Sequence, residues 1–97
     1  MMNEKEKQLY SETYCLVRFT NDAINALRGG LNCLNVFKGL NCQNEFFIDD
    51  EEEIFSIIDA AREWRMSIEE AIYRLEILRA KFETRLAEIA SGEIRMY

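Results

Sequence analysis

Stepping by seven from Ile54 lands on Ala61, Ile68, Leu75, Phe82 and Ile89, six apolar positions in phase without one polar residue. The positions three further on are Ile57, Trp64, Ala71 and Leu78, failing only at Arg85, and a third row at Ile58, Ile72 and Leu86 widens the stripe. Apolar residues recurring every three and four positions fall on one side of an α-helix and need something to cover them. The pattern predicts a long amphipathic helix over about residues 50–91, ended by Gly92 and followed by a short tail, 92–97.

A second pattern starts at Tyr10 and continues by sevens through Val17, Ile24 and Leu31, with Leu27 and Leu34 three beyond the last two. It predicts another helix over about residues 6–38. Two adjacent glycines, Gly29 and Gly30, cost about 1 kcal/mol each relative to alanine inside a helix and are a candidate stop. The spacing Ile24, Leu27, Leu31, Leu34 runs straight across them, so one unbroken helix is the expectation. Lys38-Gly39-Leu40 then supplies a cation and a glycine at the helix end. Inside the later helix, Ser67-Ile68-Glu69-Glu70 has the form of a capping box and marks an alternative break near Met66. The unbroken seven-residue phase again favours continuity.

Composition agrees with helix and removes several function classes. The chain has no proline and four glycines, and its 48% hydrophobic content is too high for a disordered chain. At 97 residues it is read as one domain. A net charge of −6 opposes direct binding of nucleic acid, which requires a basic face to displace counterions, and leaves basic partners open. No apolar run is long enough to span a membrane, and the start Met-Met-Asn-Glu-Lys-Glu-Lys lacks the apolar core of a signal peptide, so a cytoplasmic protein is expected. Cys15, Cys33 and Cys42 are odd in number, widely spaced and accompanied by no histidine, which indicates reduced thiols in place of a disulfide framework or zinc site.

The connection 39–49 holds Phe46-Phe47-Ile48 immediately before Asp49-Asp50-Glu51-Glu52-Glu53. Asp50 and Glu53 have the spacing of a capping box that opens the long helix. The phenylalanines either plug the open end of the bundle or form an exposed anchor for a partner. Five successive carboxylates exceed what capping requires. Phe46, Phe47, Ile48, Asp49, Glu51 and Glu52 are therefore the candidate partner-binding residues.

Catalysis finds little support. A di-iron bundle needs histidine ligands, and a cysteine nucleophile lacks its usual base. A magnesium-dependent nucleotide hydrolase would need two carboxylate pairs at helical spacing. Asp50 and Glu53 make one, but Glu69, Glu70 and Glu76 are followed three residues on by Ile72, Tyr73 and Arg79. No catalytic residue, metal ligand or cofactor is assigned.

An isolated hairpin lets each helix cover one side of the other, whereas both helices here carry three apolar rows. The expectation is an all-α antiparallel hairpin that assembles with itself, as a dimeric four-helix bundle, through Val17, Ile24, Leu31, Ile54, Ile57, Trp64, Ile68, Leu75 and Phe82. Trp64 is placed in that interior. The functional expectation is a non-catalytic interaction module, a small regulator, adaptor or inhibitor whose partner offers a basic or hydrophobic docking surface. The alternatives are an acidic nucleic-acid mimic that fills a basic groove, and the magnesium-dependent hydrolase. Small acidic chains without catalytic groups are common among phage and mobile-element products, which is an association and not a derivation.

Overall fold

The computed structural model describes residues 2–30 and 44–93. These form three helices and no strand: α1, Glu4–Arg28; α2, Ile48–Arg62; and α3, Ile68–Ser91. The described residues are all-helical as expected, but the long helix of the sequence pattern is two helices folded against each other.

The start of α1 is a full capping box. The Glu6 amide donates to Asn3 Oδ1 at 2.8 Å and the Asn3 amide donates back to Glu6 Oε1 at 3.2 Å. Its end corrects the expectation of a helix through the glycines. Gly29 is the C-cap, and Gly30 has φ +91, a left-handed conformation that a side chain resists. The apolar spacing across the pair did not outweigh two residues with the poorest helix propensity after proline. Positions 31–38 of the expected helix, Leu31 among them, lie outside the described residues.

The break between α2 and α3 corrects the second expectation. The Trp64 amide donates to the Ala61 carbonyl at 3.3 Å and the Arg65 amide to the Ala60 carbonyl at 2.9 Å. That pair of bonds, with Trp64 at φ +62, is a Schellman stop. Helix α3 then starts on Ser67, whose Oγ accepts from the Glu70 amide at 3.1 Å. The Ser67-x-x-Glu70 pattern was the informative signal. Ala61 and Ile68 keep the seven-residue phase across the break because both helices turn their stripes to one core, not because one axis joins them. The start of α2 differs as well. It begins at Ile48 after Phe47, which makes no side-chain cap, so Asp50 is inside the first turn and does not cap.

Side-chain pairings give the packing directions. Arg28 meets Glu76 at 3.1 Å and Arg79 meets Asn21 at 2.8 Å, so α3 runs antiparallel to α1. Asp50 meets Arg85 at 2.9 Å while Ile57 and Ala60 lie beside Ile77 and Leu78, so α3 also runs antiparallel to α2. Helices α1 and α2 are therefore parallel, and Phe19 and Phe55 meet edge to face with centroids 4.9 Å apart. The core collects Leu16, Phe19, Ala23, Ile24 and Leu27 from α1, Ile54, Ile57, Ile58 and Ala61 from α2, and Ala71, Leu75, Leu78 and Phe82 from α3. Fully burying a side chain of the larger kinds contributes about 1.5–3 kcal/mol.

This arrangement answers the surplus of apolar rows. The third row of each stripe meets a third helix of the same chain. Along α1 the buried rows are Leu9, Leu16, Ala23 and Thr13, Thr20, Leu27, one position off the row that Tyr10 and Val17 head. The threonines hid that row from a polarity count. Each is buried because its hydroxyl donates to the carbonyl one turn back, Thr13 to Leu9 at 2.7 Å and Thr20 to Leu16 at 2.6 Å.

Candidate interaction surfaces

The candidate partner-binding residues lie at the start of α2, where the polypeptide is held by charge. Glu12 of α1 is only 4% exposed. Its Oε1 accepts from the amides of Glu45 at 2.7 Å and Phe46 at 2.9 Å, and its Oε2 accepts from Gln8 Nε2 at 3.0 Å. A carboxylate that receives two backbone N–H groups makes charge-assisted bonds, which hold more firmly than neutral ones. Asn44, also buried, donates to Glu51 Oε2 at 3.0 Å. On the other side, the Asp50 carboxylate receives Arg85 at 2.9 Å and Lys81 at 3.5 Å. The Arg85 guanidinium in turn stacks 4.2 Å above the Phe47 ring.

These anchors divide the six residues. Phe47 packs against the core under Arg85, which is the plug. Glu51 is half-buried with Asn44. Phe46 and Ile48 remain 42% and 52% exposed, and Asp49 and Glu52 are exposed beside them. Of the two phenylalanines, Phe47 is thus packed and Phe46 exposed. Glu12 was missed, because a lone glutamate in a helix carries no sequence signal that a loop will close on it.

The nine residues assigned to a self-assembly interface are mostly spent inside the chain. Ile24, Ile54, Ile57, Leu75 and Phe82 are buried in the core of the single molecule, and Val17 and Ile68 pack against it. That interface is corrected on the five buried ones. Leu31 lies outside the described residues. Trp64 lies outside the core of the single molecule, 79% exposed at the α2–α3 turn. It borders a hollow shared with Met66 and Ile68, which meets a second hollow, along Ile57, Ala60 and Ile77, at Arg65 and Met66.

Asp50, one half of the supposed carboxylate pair, is engaged by Arg85 and Lys81. Among the described residues no three carboxylates or thiols gather as a metal site, and no helix is long and apolar enough to cross a membrane. No family model, curated protein or solved structure matches this chain.

Proposed function

We propose that this chain is a non-catalytic protein–protein interaction module, a small regulator, adaptor or inhibitor, which docks a basic surface of its partner against the edge formed by Phe46, Ile48, Asp49 and Glu52. The observation that carries this reading is the Glu12 clamp: a buried carboxylate fixes the backbone that carries an exposed phenylalanine. A residue whose backbone is already fixed loses less freedom on binding, and exposed aromatic anchors concentrate binding energy. The carboxylates around it would guide a basic partner and set its orientation. A cytosolic setting goes with the reading, with Cys15 a free thiol. Self-association stays part of it, on a surface other than the five residues enclosed in the core.

The test is capture from the native host with wild type and a Phe46→Ser, Ile48→Ser variant. Loss of a specific partner with an unchanged melting curve supports the docking edge. Salt-sensitive capture that survives the variant supports the acidic mimic of nucleic acid, and salt-insensitive capture that survives it moves docking elsewhere. One observation favours a second site for the same function. Trp64 holds a left-handed conformation that costs roughly 1–2 kcal/mol for a residue with a side chain, yet it is exposed and repays little of this by packing. Strain kept at an exposed aromatic residue is a mark of binding positions, and Trp64→Gly carried through the same capture separates the two ends of the bundle.

A further inference from the structure

The exposed side of α3 has a repeat of its own. Tyr73, Ile77, Ala80, Thr84, Ala87 and Ser91 are spaced four, three, four, three, four, and all are exposed. The spacing is that of a coiled-coil seam, and it carries no charge over five turns of an otherwise highly charged helix. From this face we infer that two copies of the chain pair through α3, antiparallel, about a two-fold axis that passes beside residue 82.

Three features of the seam choose that partner and that register. The first is size. The bulky residues sit at one end and the small ones at the other, so an antiparallel copy sets Tyr73 against Ser91, Ile77 against Ala87 and Ala80 against Thr84. Every large side chain meets a small one, and no other partner need be supplied, because a two-fold interface joins a patch to itself. A parallel copy would stack Tyr73 on Tyr73 and leave Ala80, Ala87 and Ser91 facing one another with space between them.

The second is charge. One flank of the seam carries Arg74, Lys81 and Glu88, and in the antiparallel register Arg74, which also meets its own Glu70 at 3.0 Å, lies across from Glu88 of the second copy, twice by symmetry. The third is the treatment of the like charges that the axis brings closest. Lys81 would approach its own counterpart, but each is already beside its own Asp50 at 3.5 Å. On the other flank Glu83 would approach its counterpart, and each has Arg79 at 3.7 Å. Glu76, further along that flank, is held by Arg28 at 3.1 Å. The bundle thus neutralises internally the charges that would oppose pairing and leaves Glu88 for the second copy. The seam lies on α3 and the docking edge at the start of α2, so each is tested by its own variants.

The test uses the full chain. Sedimentation equilibrium at concentrations up to ~100 μM is expected to give twice the mass of one chain, and Ile77→Asp, at a half-exposed site, is expected to give a monomer that melts as wild type does when diluted until monomeric. Arg74→Glu should weaken the dimer roughly tenfold through its two symmetric pairs, and adding Glu88→Arg to it should restore the affinity. A mixture of Tyr73→Cys and Ser91→Cys chains should cross-link between those two positions on oxidation, with peptides mapped to separate them from the native thiols, while neither variant links to itself. A monomeric wild type, a dimer that survives Ile77→Asp, or a Tyr73→Cys chain that links to itself overturns the inference.

Discussion

Phe46 and Phe47 are adjacent and chemically identical, and the structure predicts opposite consequences for removing them. Phe47 packs on the core and has the Arg85 guanidinium 4.2 Å from its ring. Truncating it to alanine removes its buried ring surface, worth about 2 kcal/mol at the usual area coefficient for a half-buried aromatic, and the cation–π contact adds about 0.5–1 kcal/mol. The expected loss is therefore about 2.5–3 kcal/mol. In a domain of this size each kcal/mol moves the melting temperature by roughly 4–8 °C, so Phe47→Ala should melt at least 10 °C below wild type. Phe46 is 42% exposed, and the clamp on it acts through its backbone amide, which the substitution keeps. Phe46→Ala should cost no more than about 1 kcal/mol. Thermal melts followed by circular dichroism at 222 nm measure both. Equal losses, or the larger loss at Phe46, would refute the division between plug and anchor.

Glu12→Ala leaves the amides of Glu45 and Phe46 without their acceptor and should cost about 2–4 kcal/mol in urea unfolding, whereas Glu12→Gln, which keeps a carbonyl oxygen, should cost less than half of that; equal costs would count against the clamp. At position 64 glycine should be more stable than alanine by about 1 kcal/mol, the reverse of their order inside a helix, because the site is left-handed; alanine as the more stable variant in a melting comparison would count against the Schellman stop. Asp50→Asn removes the charge that meets Arg85 and Lys81, partners of which Arg85 is the more enclosed, and should lower stability by about 1–2 kcal/mol. The loss should shrink when Arg85 is already methionine, and strict additivity of the two changes would show that the pair is not coupled.

Much of this protein was legible in its residues. Helical class, the existence of an amphipathic stripe over Ile54 to Ile89, the stop at Gly92, and the exclusion of histidine chemistry all rest on local propensity, period and ligand supply, which a sequence states directly. What the residues could not state is which of two consistent structures wins. A seven-residue phase is kept by one long helix and equally by two helices that face one core, and the choice turns on a five-residue stop, 63–67, whose left-handed residue is a tryptophan where a glycine would have announced it. That choice in turn decides how the apolar rows are used. With a third helix available, Ile24, Ile54, Leu75 and Phe82 close on one another within one chain. The same contacts were expected to cross between chains, because burial satisfies an apolar surface whether the cover comes from its own chain or from another. Long-range contacts account for the rest. Glu12 reaches the amides of Glu45 and Phe46, more than thirty positions away, and Asp50 leaves its expected cap for Arg85 on α3. Such pairings depend on where three helices meet in space, and no spacing along the chain encodes them.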